Sequence, residues 1–158
     1  MTATVPDTTI REIEPDDFDT IIDLNQNALE GVGPLDEQKL AHLVDQADQA
    51  LVLDDGGDIA GFVITLPPGA DYESSRYEWF EKRFEEYVYL DRIVVAETHR
   101  RQGVASQLYD EIETETPVAL EVYDTNDVSL AFHRSRGYEP VGELDHAGKT
   151  NLMLVKES

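Results

Sequence analysis

The apolar positions of this chain fall into two rhythms, and their order lays out the elements. Runs that alternate or stay continuously apolar read as strands, and stretches with apolar residues three or four apart read as helices. Thr8–Ile13 predicts a short strand. Pro15, suited to a first helical turn, opens a helix carrying Phe18, Ile21, Ile22 and Leu29, which Gly31-Val32-Gly33-Pro34 breaks. Asp36 caps a second helix with Leu40, Leu43, Val44 and Ala47 on one stripe, and the two helices are expected to pack side by side. Ala50–Leu53 and Ile59–Leu66 flank Asp54-Asp55-Gly56-Gly57-Asp58. That is hairpin chemistry, because the glycines accept positive φ, and the pair is expected to be antiparallel.

Pro67-Pro68-Gly69 stops the second of these strands. Ala70–Glu86 then reads as a long polar-aromatic connection with Tyr72, Tyr77, Trp79, Phe80 and Phe84, and connections of that length in compact domains are often functional. Tyr87–Val95 is the strongest strand signal, and Val104, Leu108 and Ile112 mark the apolar face of the helix after it. Pro117 ends that region, Val118–Tyr123 is a further strand, Asn126–Arg136 a short helix stopped by Gly137-Tyr138, and Thr150–Val155 a final strand. The predicted order is β-α-α-β-β-β-α-β-α-β, with room for an extra strand near Val141. This is an α/β (mixed α+β) fold, and the length suits a single domain over residues 1–158.

Composition narrows the function. With 41% apolar residues and no long apolar run, a soluble domain is expected, and Met1–Asp7 lacks the basic and apolar segments of an export signal. There is no cysteine, which removes disulfides, thiolate metal sites and cysteine nucleophiles together and fits a cytoplasmic protein. Thirty-four acidic against 12 basic residues give a formal charge of −22, spread along the chain. Such a field repels nucleic-acid backbones and anionic membranes, so neither is an expected partner. It reflects either a surface adapted to a high-salt cytoplasm or attraction for a cationic substrate. The salt reading is favoured, since at about 1 M salt the Debye length falls to roughly 3 Å and repulsion is screened.

Against that field, the turn Arg100-Arg101-Gln102-Gly103-Val104-Ala105 stands out between the strand Leu90–Val95 and a helix. Gly103 lets backbone approach a phosphate, the first amides of a helix have no intrahelical acceptor, and the helix dipole adds partial positive charge. An ordinary strand-to-helix surface loop fits the same six residues.

Two segments together resemble the GNAT superfamily of acyl-CoA-dependent N-acyltransferases. Arg100–Ala105 is similar to its phosphate-loop motif, and Asn126-Asp127-Val128-Ser129-Leu130-Ala131-Phe132-His133-Arg134-Ser135-Arg136-Gly137-Tyr138 resembles its second signature. The likeness covers nearly the whole chain. It implies a strongly curved mixed sheet flanked by helices and splayed open between the strand ending at Val95 and the strand ending at Tyr123. Acetyl-CoA would lie in that opening as co-substrate, with no metal. Its pantetheine would pair with the backbone of Ile93, Val94 and Val95, its pyrophosphate would sit on amides from Arg101 through Gln102, Gly103, Val104 and Ala105 to Ser106 with Arg100 alongside, and Asn126 would support the pantetheine arm or the splay.

Acetyl transfer to an amine needs a deprotonated acceptor, a polarised thioester carbonyl and a proton for the departing thiolate. Alternation puts Tyr87, Tyr89, Asp91, Ile93 and Val95 on one face of their strand, so Tyr89 and Asp91 share a face with the proposed cofactor-pairing positions. Asp91 is the candidate proton acceptor, through water, with Tyr89 lining the channel; a structural ion pair or hydrogen bond fits Asp91 equally. His133 departs from the family pattern, which often places there a Tyr that protonates the thiolate. Imidazole can donate to sulfur and titrates nearer neutrality than phenol, and a contact to the cofactor without proton transfer is the competing reading.

In relatives, the loop between the first helices and the connection before the central strand wall the acceptor pocket. Here they are Asn25–Leu35 and Ala70–Glu86, which with the strand positions make Asn25, Trp79, Tyr89 and Tyr123 candidate substrate contacts. The resemblance implies an N-acetyltransferase that moves acetyl directly to a primary amine in a ternary complex, since no cysteine can carry an acyl-enzyme. A small cationic or zwitterionic amine suits the acidic field. A protein N-terminus or lysine, a homodimer, and an acyl-CoA-binding sensor without turnover stay open.

Overall fold

A computed structural model describes residues 8–29 and 32–157. The N-terminal heptad Met1–Asp7, and Gly31 of the predicted helix break, lie outside the described residues. Contacts divide the chain into two compact units. One comprises the described residues up to Thr65 together with Arg92–Ile112, the other Leu66–Asp91 together with the described residues from Glu113 on.

The first unit begins with β1 (Thr8–Glu12), a 3-10 turn over Pro15–Asp17, and α1 (Phe18–Gln26). α1 is shorter than the apolar spacing suggests, and Leu29, assigned to its buried stripe, is 48% exposed. α2 (Glu37–Gln46) starts where Asp36 predicts: its carboxylate accepts from the Lys39 amide at 2.7 Å, and Leu40 and Leu43 are buried. α1 and α2 are in contact. β2 (Gln49–Asp55) and β3 (Asp58–Leu66) pair antiparallel across Gly56 and Gly57, which take φ of 61° and 102°. The Asp54 carboxylate accepts from the Gly57 amide at 2.7 Å and closes the turn. β1 pairs antiparallel with β2.

β4 (Val88–Val95) contributes its first half to the second unit and its second half to the first. Within the first unit, β3 and β4 meet where Gly61 lies: a Cβ there would stand 2.8 Å from the Val94 carbonyl oxygen and 3.0 Å from Val104 Cγ1. Only glycine permits that approach. A 3-10 turn (Glu97–His99) and α4 (Val104–Ile112) complete this unit.

The second unit holds an element that the sequence pattern did not reveal. α3 (Ser75–Glu81) sits inside the Ala70–Glu86 connection, capped by the Ser74 hydroxyl, which accepts from the Tyr77 amide. Its seven residues span only two turns, too short for an apolar period to emerge, although Tyr77 and Phe80 at i and i+3 are both buried. β5 (Val118–Tyr123), α5 (Asp127–Ser135), β6 (Glu139–His146) and β7 (Lys149–Lys156) follow. β6 is the extra strand expected near Val141; its exposed, polar pattern and a bulge between Pro140 and Gly142 hide it from a period-two reading. The neighbour order is β1-β2-β3-β4-β5-β7-β6 in a mixed sheet in which β4 and β5 pair parallel. Glu113 anchors this unit: its carboxylate accepts from Arg136 at 2.7 Å, Lys156 at 3.0 Å and Tyr138 at 2.9 Å. Burial pushes its pKa up, but these three donors outweigh that and hold it below the ordinary 4.5. Among the described residues no helix is long and apolar enough to cross a membrane.

Candidate active site

The anion cradle belongs to the first unit. Arg101 and Gly103 both take positive φ, 64° and 78°, so the chain turns sharply before α4, and the Gln102 side chain donates to the Thr98 carbonyl oxygen at 3.2 Å. The helical bonding starts with the Gln107 amide donating to the Gly103 carbonyl oxygen at 3.0 Å, which leaves the amides of Val104, Ala105 and Ser106 ahead of the ladder. A Cβ on Gly103 would meet nothing within 4 Å. The loop therefore presents open space, helix-start amides and two exposed arginines, Arg100 and Arg101, as a pyrophosphate requires. A cavity of about 150 Å³ in the same unit borders Val94, Val95 and Ala96, reaches Thr98 and Arg100, and is lined on its other side by Leu24 of α1 and Ala28 just after it. Ile93 and Val95 are half-buried and Val94 buried. These residues fit an extended pantetheine arm running to a diphosphate.

Asn25, expected on the acceptor wall, is fully buried at 0% exposure. Its carboxamide accepts from Arg92 at 2.9 Å and donates to the Gly33 carbonyl oxygen at 3.0 Å, to which Arg92 also donates at 3.1 Å. The side chain is spent on tying α1 to β4 from behind, and no face of it is left for substrate.

The candidate acid-base groups belong to the second unit. β4 and β5 pair parallel at Val88↔Val118 and Tyr89↔Ala119. Next to it the Tyr89 hydroxyl donates to both oxygens of Glu121, at 2.9 and 2.8 Å. Burial, with Glu121 and Asp91 nearby, raises the Tyr89 pKa well above 10.0, so this phenol stays protonated. The Glu121 side chain is 13% exposed. Burial pushes its carboxyl up to about 7, against the lowering effect of the Tyr89 hydrogen bond and the Arg76 charge 3.8 Å away. Tyr72 donates to Asp91. The structure thus brings Tyr89 and Asp91 together as alternation predicts, but around a carboxyl that the sequence reading missed. The signal was present in Val118–Tyr123, where Glu121 is the one charged residue of an otherwise apolar-aromatic strand.

Trp79 and Tyr123, the remaining acceptor candidates, are placed differently. Trp79 lies under the Arg83 guanidinium at 3.9 Å and edge-on to Phe80 at 5.1 Å, and a Cβ on Gly142 would collide with its ring; it packs α3 against β6. Tyr123 is half-buried, with Lys149 Nζ 4.6 Å from its ring centre.

His133 is 6% exposed on α5, and its Nδ1 lies 2.7 Å from the Ser129 carbonyl oxygen. A carbonyl only accepts, so Nδ1 carries the hydrogen, and Nε2 of the neutral ring is an acceptor. To give a proton from Nε2 the ring must first be charged, and burial lowers its pKa from the ordinary 6.5. Asn126 caps α5, accepting from the Ser129 amide at 3.1 Å.

Comparison with known proteins decides the family. Residues 9–138 match the Acetyltransferase (GNAT) family. The chain belongs to that family. Among solved structures, this acetyltransferase is similar to Ard1 from Thermoplasma volcanium, with 21% identity over 94% of this chain and 96% of that one and a TM-score of 0.73. It is also similar to NAA60 of Arabidopsis thaliana in complex with acetyl-CoA (18% identity, 96% and 99% covered, TM-score 0.74) and to the ribosomal-protein-S18-alanine N-acetyltransferase of Escherichia coli (19%, 94% and 92%, 0.66). No curated protein matches the sequence.

Proposed function

We propose that this acetyltransferase moves the acetyl group of acetyl-CoA to the primary amine of a small molecule by direct attack in a ternary complex. The observation that carries the reading is the Glu121–Tyr89 pair, a buried carboxyl whose affinity for a proton is set near neutrality. A base of that kind accepts the amine's proton directly or through water, and a base near the working pH is the efficient choice. Asp91, held by Tyr72, lies near enough to act on Glu121 electrostatically and gives the acceptor's ammonium form a counter-charge. The cradle Arg100–Ser106 takes the pyrophosphate, and the Ile93–Val95 backbone takes the pantetheine. His133 serves as a contact at the cofactor; as a proton donor it works only in its charged form, at acid pH.

A protein N-terminus is the second reading, supported by the likeness to the ribosomal-protein-S18-alanine enzyme. Thiol release from acetyl-CoA across polyamines, amino acids, amino sugars and short peptides with free N-termini tests both. Turnover with the small amines is the expected result. Turnover confined to the peptides would replace the small acceptor by a protein.

A further inference from the structure

Arg76, in the first turn of α3, has a place that packing alone does not explain. Its Nε is buried and has no hydrogen-bond partner, while its side chain as a whole is 33% exposed. Structural arginines in folded proteins spend their donors, because a buried N–H left without an acceptor is costly. The nearest carboxylate oxygen, Glu121 Oε1, stands 3.8 Å from this nitrogen, close enough for a strong field and too far for a hydrogen bond. Both oxygens of that carboxylate already accept from Tyr89.

We propose that Arg76 is a positioning residue for acetyl transfer, which favours the ionised form of Glu121 through space without taking up a lone pair of its carboxylate. This rests on the reading of Glu121 as the base. A direct, bidentate guanidinium–carboxylate pair would bind the lone pairs and drive the carboxyl far below neutrality, making it a poor base. With no cation at all, burial beside other acidic groups would keep it protonated. The distance seen here lies between those extremes. Of the side chains that act on Glu121, Asp91 opposes its negative charge, and Tyr89 favours it through a neutral hydrogen bond; Arg76, with Tyr72 and Tyr123 near its own guanidinium, adds the positive charge.

An opposite charge at this range lowers a carboxyl pKa by about one unit or more. Loss of Arg76 should therefore move the Glu121 midpoint from about 7 upward by about one unit. At neutral pH the ionised fraction would fall from about one half to about one tenth, an approximately fivefold drop in kcat/KM that is recovered at high pH.

The test is a carbon-13 titration of the side-chain carboxyls in glutamate-labelled protein, with the Glu121 signal assigned by its absence in Glu121→Gln. Arg76→Gln should raise the midpoint by about one unit, Arg76→Met should match it, and Arg76→Lys should stay near wild type, since it keeps the charge. The acid limb of kcat/KM, measured with the best amine of the panel, should move in step. An unmoved midpoint in folded Arg76→Gln or Arg76→Met overturns the inference. If Glu121→Gln keeps full turnover, the base reading fails instead, and with it the kinetic consequence drawn here. The two failures are read from different variants.

Discussion

At Glu121 burial and hydrogen bonding pull in opposite directions, and burial wins. Glu121→Gln should lower kcat/KM by about 100-fold or more, the usual contribution of a general base, while acetyl-CoA affinity is unchanged. The same substitution has a stability signature of definite sign. The folded carboxyl titrates at about 7 against an ordinary 4.5, so between those values the folded state holds more protons than the unfolded one, and stability is lost as pH rises through that window. That loss is on the order of 3 kcal/mol, so the glutamine variant should gain in melting temperature relative to wild type at pH about 8 and gain little at pH about 4. Equal differences at both pH values would refute the raised carboxyl. His133 gives a contrasting case. His133→Ala should change kcat less than about threefold at pH about 8, where the ring is neutral and its Nε2 is an acceptor. It should still destabilise the fold, because the ring packs edge-on against Phe132 and Tyr138 at 5.3 Å. A large loss of kcat at that pH, with affinity for acetyl-CoA kept, would return the role of acid to this histidine.

Among the elements, β4 is tied to its neighbours by both a buried side-chain network and a close backbone approach. In the first unit Asn25 and Arg92 fasten it to α1, and Gly61 lets β3 approach it closely, so Val94 and the start of α4 are fixed by a residue with no side chain. Gly61→Ala should cost about 1–3 kcal/mol as an overpacked contact, and the strain falls on Val94 and Val104, next to the pantetheine and pyrophosphate positions. Weaker CoA binding in a folded variant, by calorimetric titration, is the expected result. Unchanged affinity would show that the cradle does not depend on this packing. In the second unit the counterpart is α3. The sequence pattern reads as a long polar-aromatic connection; in the structure Ser75–Glu81 within it form a helix that spends Tyr77, Phe80 and Trp79 on packing and delivers Arg76 to Glu121.

For the whole molecule, charge is the dominant property. A formal −22 on 158 residues sets up self-repulsion in the compact state, relieved when salt shortens the Debye length from about 10 Å at 0.1 M to about 3 Å at 1 M. The unfolding midpoint should therefore rise with potassium chloride over that range. A midpoint that is flat or falls would mean that the described ion pairs, such as Arg11–Asp17 at 2.8 Å and Arg136–Glu113 at 2.7 Å, contribute more than the repulsion costs.

The sequence by itself determined the Gly56–Gly57 hairpin, the Asp36 cap and most of the element order, α3 apart, and it marked the turn Arg100–Ala105 as the candidate anion cradle, since these depend on residues close together in the chain. Periodicity, capping and left-handed turns are local, and local physics is legible in one dimension. The pairing of Glu121 with Tyr89, the burial that lifts its carboxyl, the Arg76 charge beside it and the use of Asn25 and Trp79 for packing were decided by tertiary structure alone. These join residues 32 to 67 positions apart in the chain in the hydrogen-bonded cases, Tyr89 with Glu121 and Asn25 with Arg92. A side chain's role there follows from what surrounds it in space. Nothing in its own stretch of sequence fixes whether a carboxyl meets water, a phenol or an arginine.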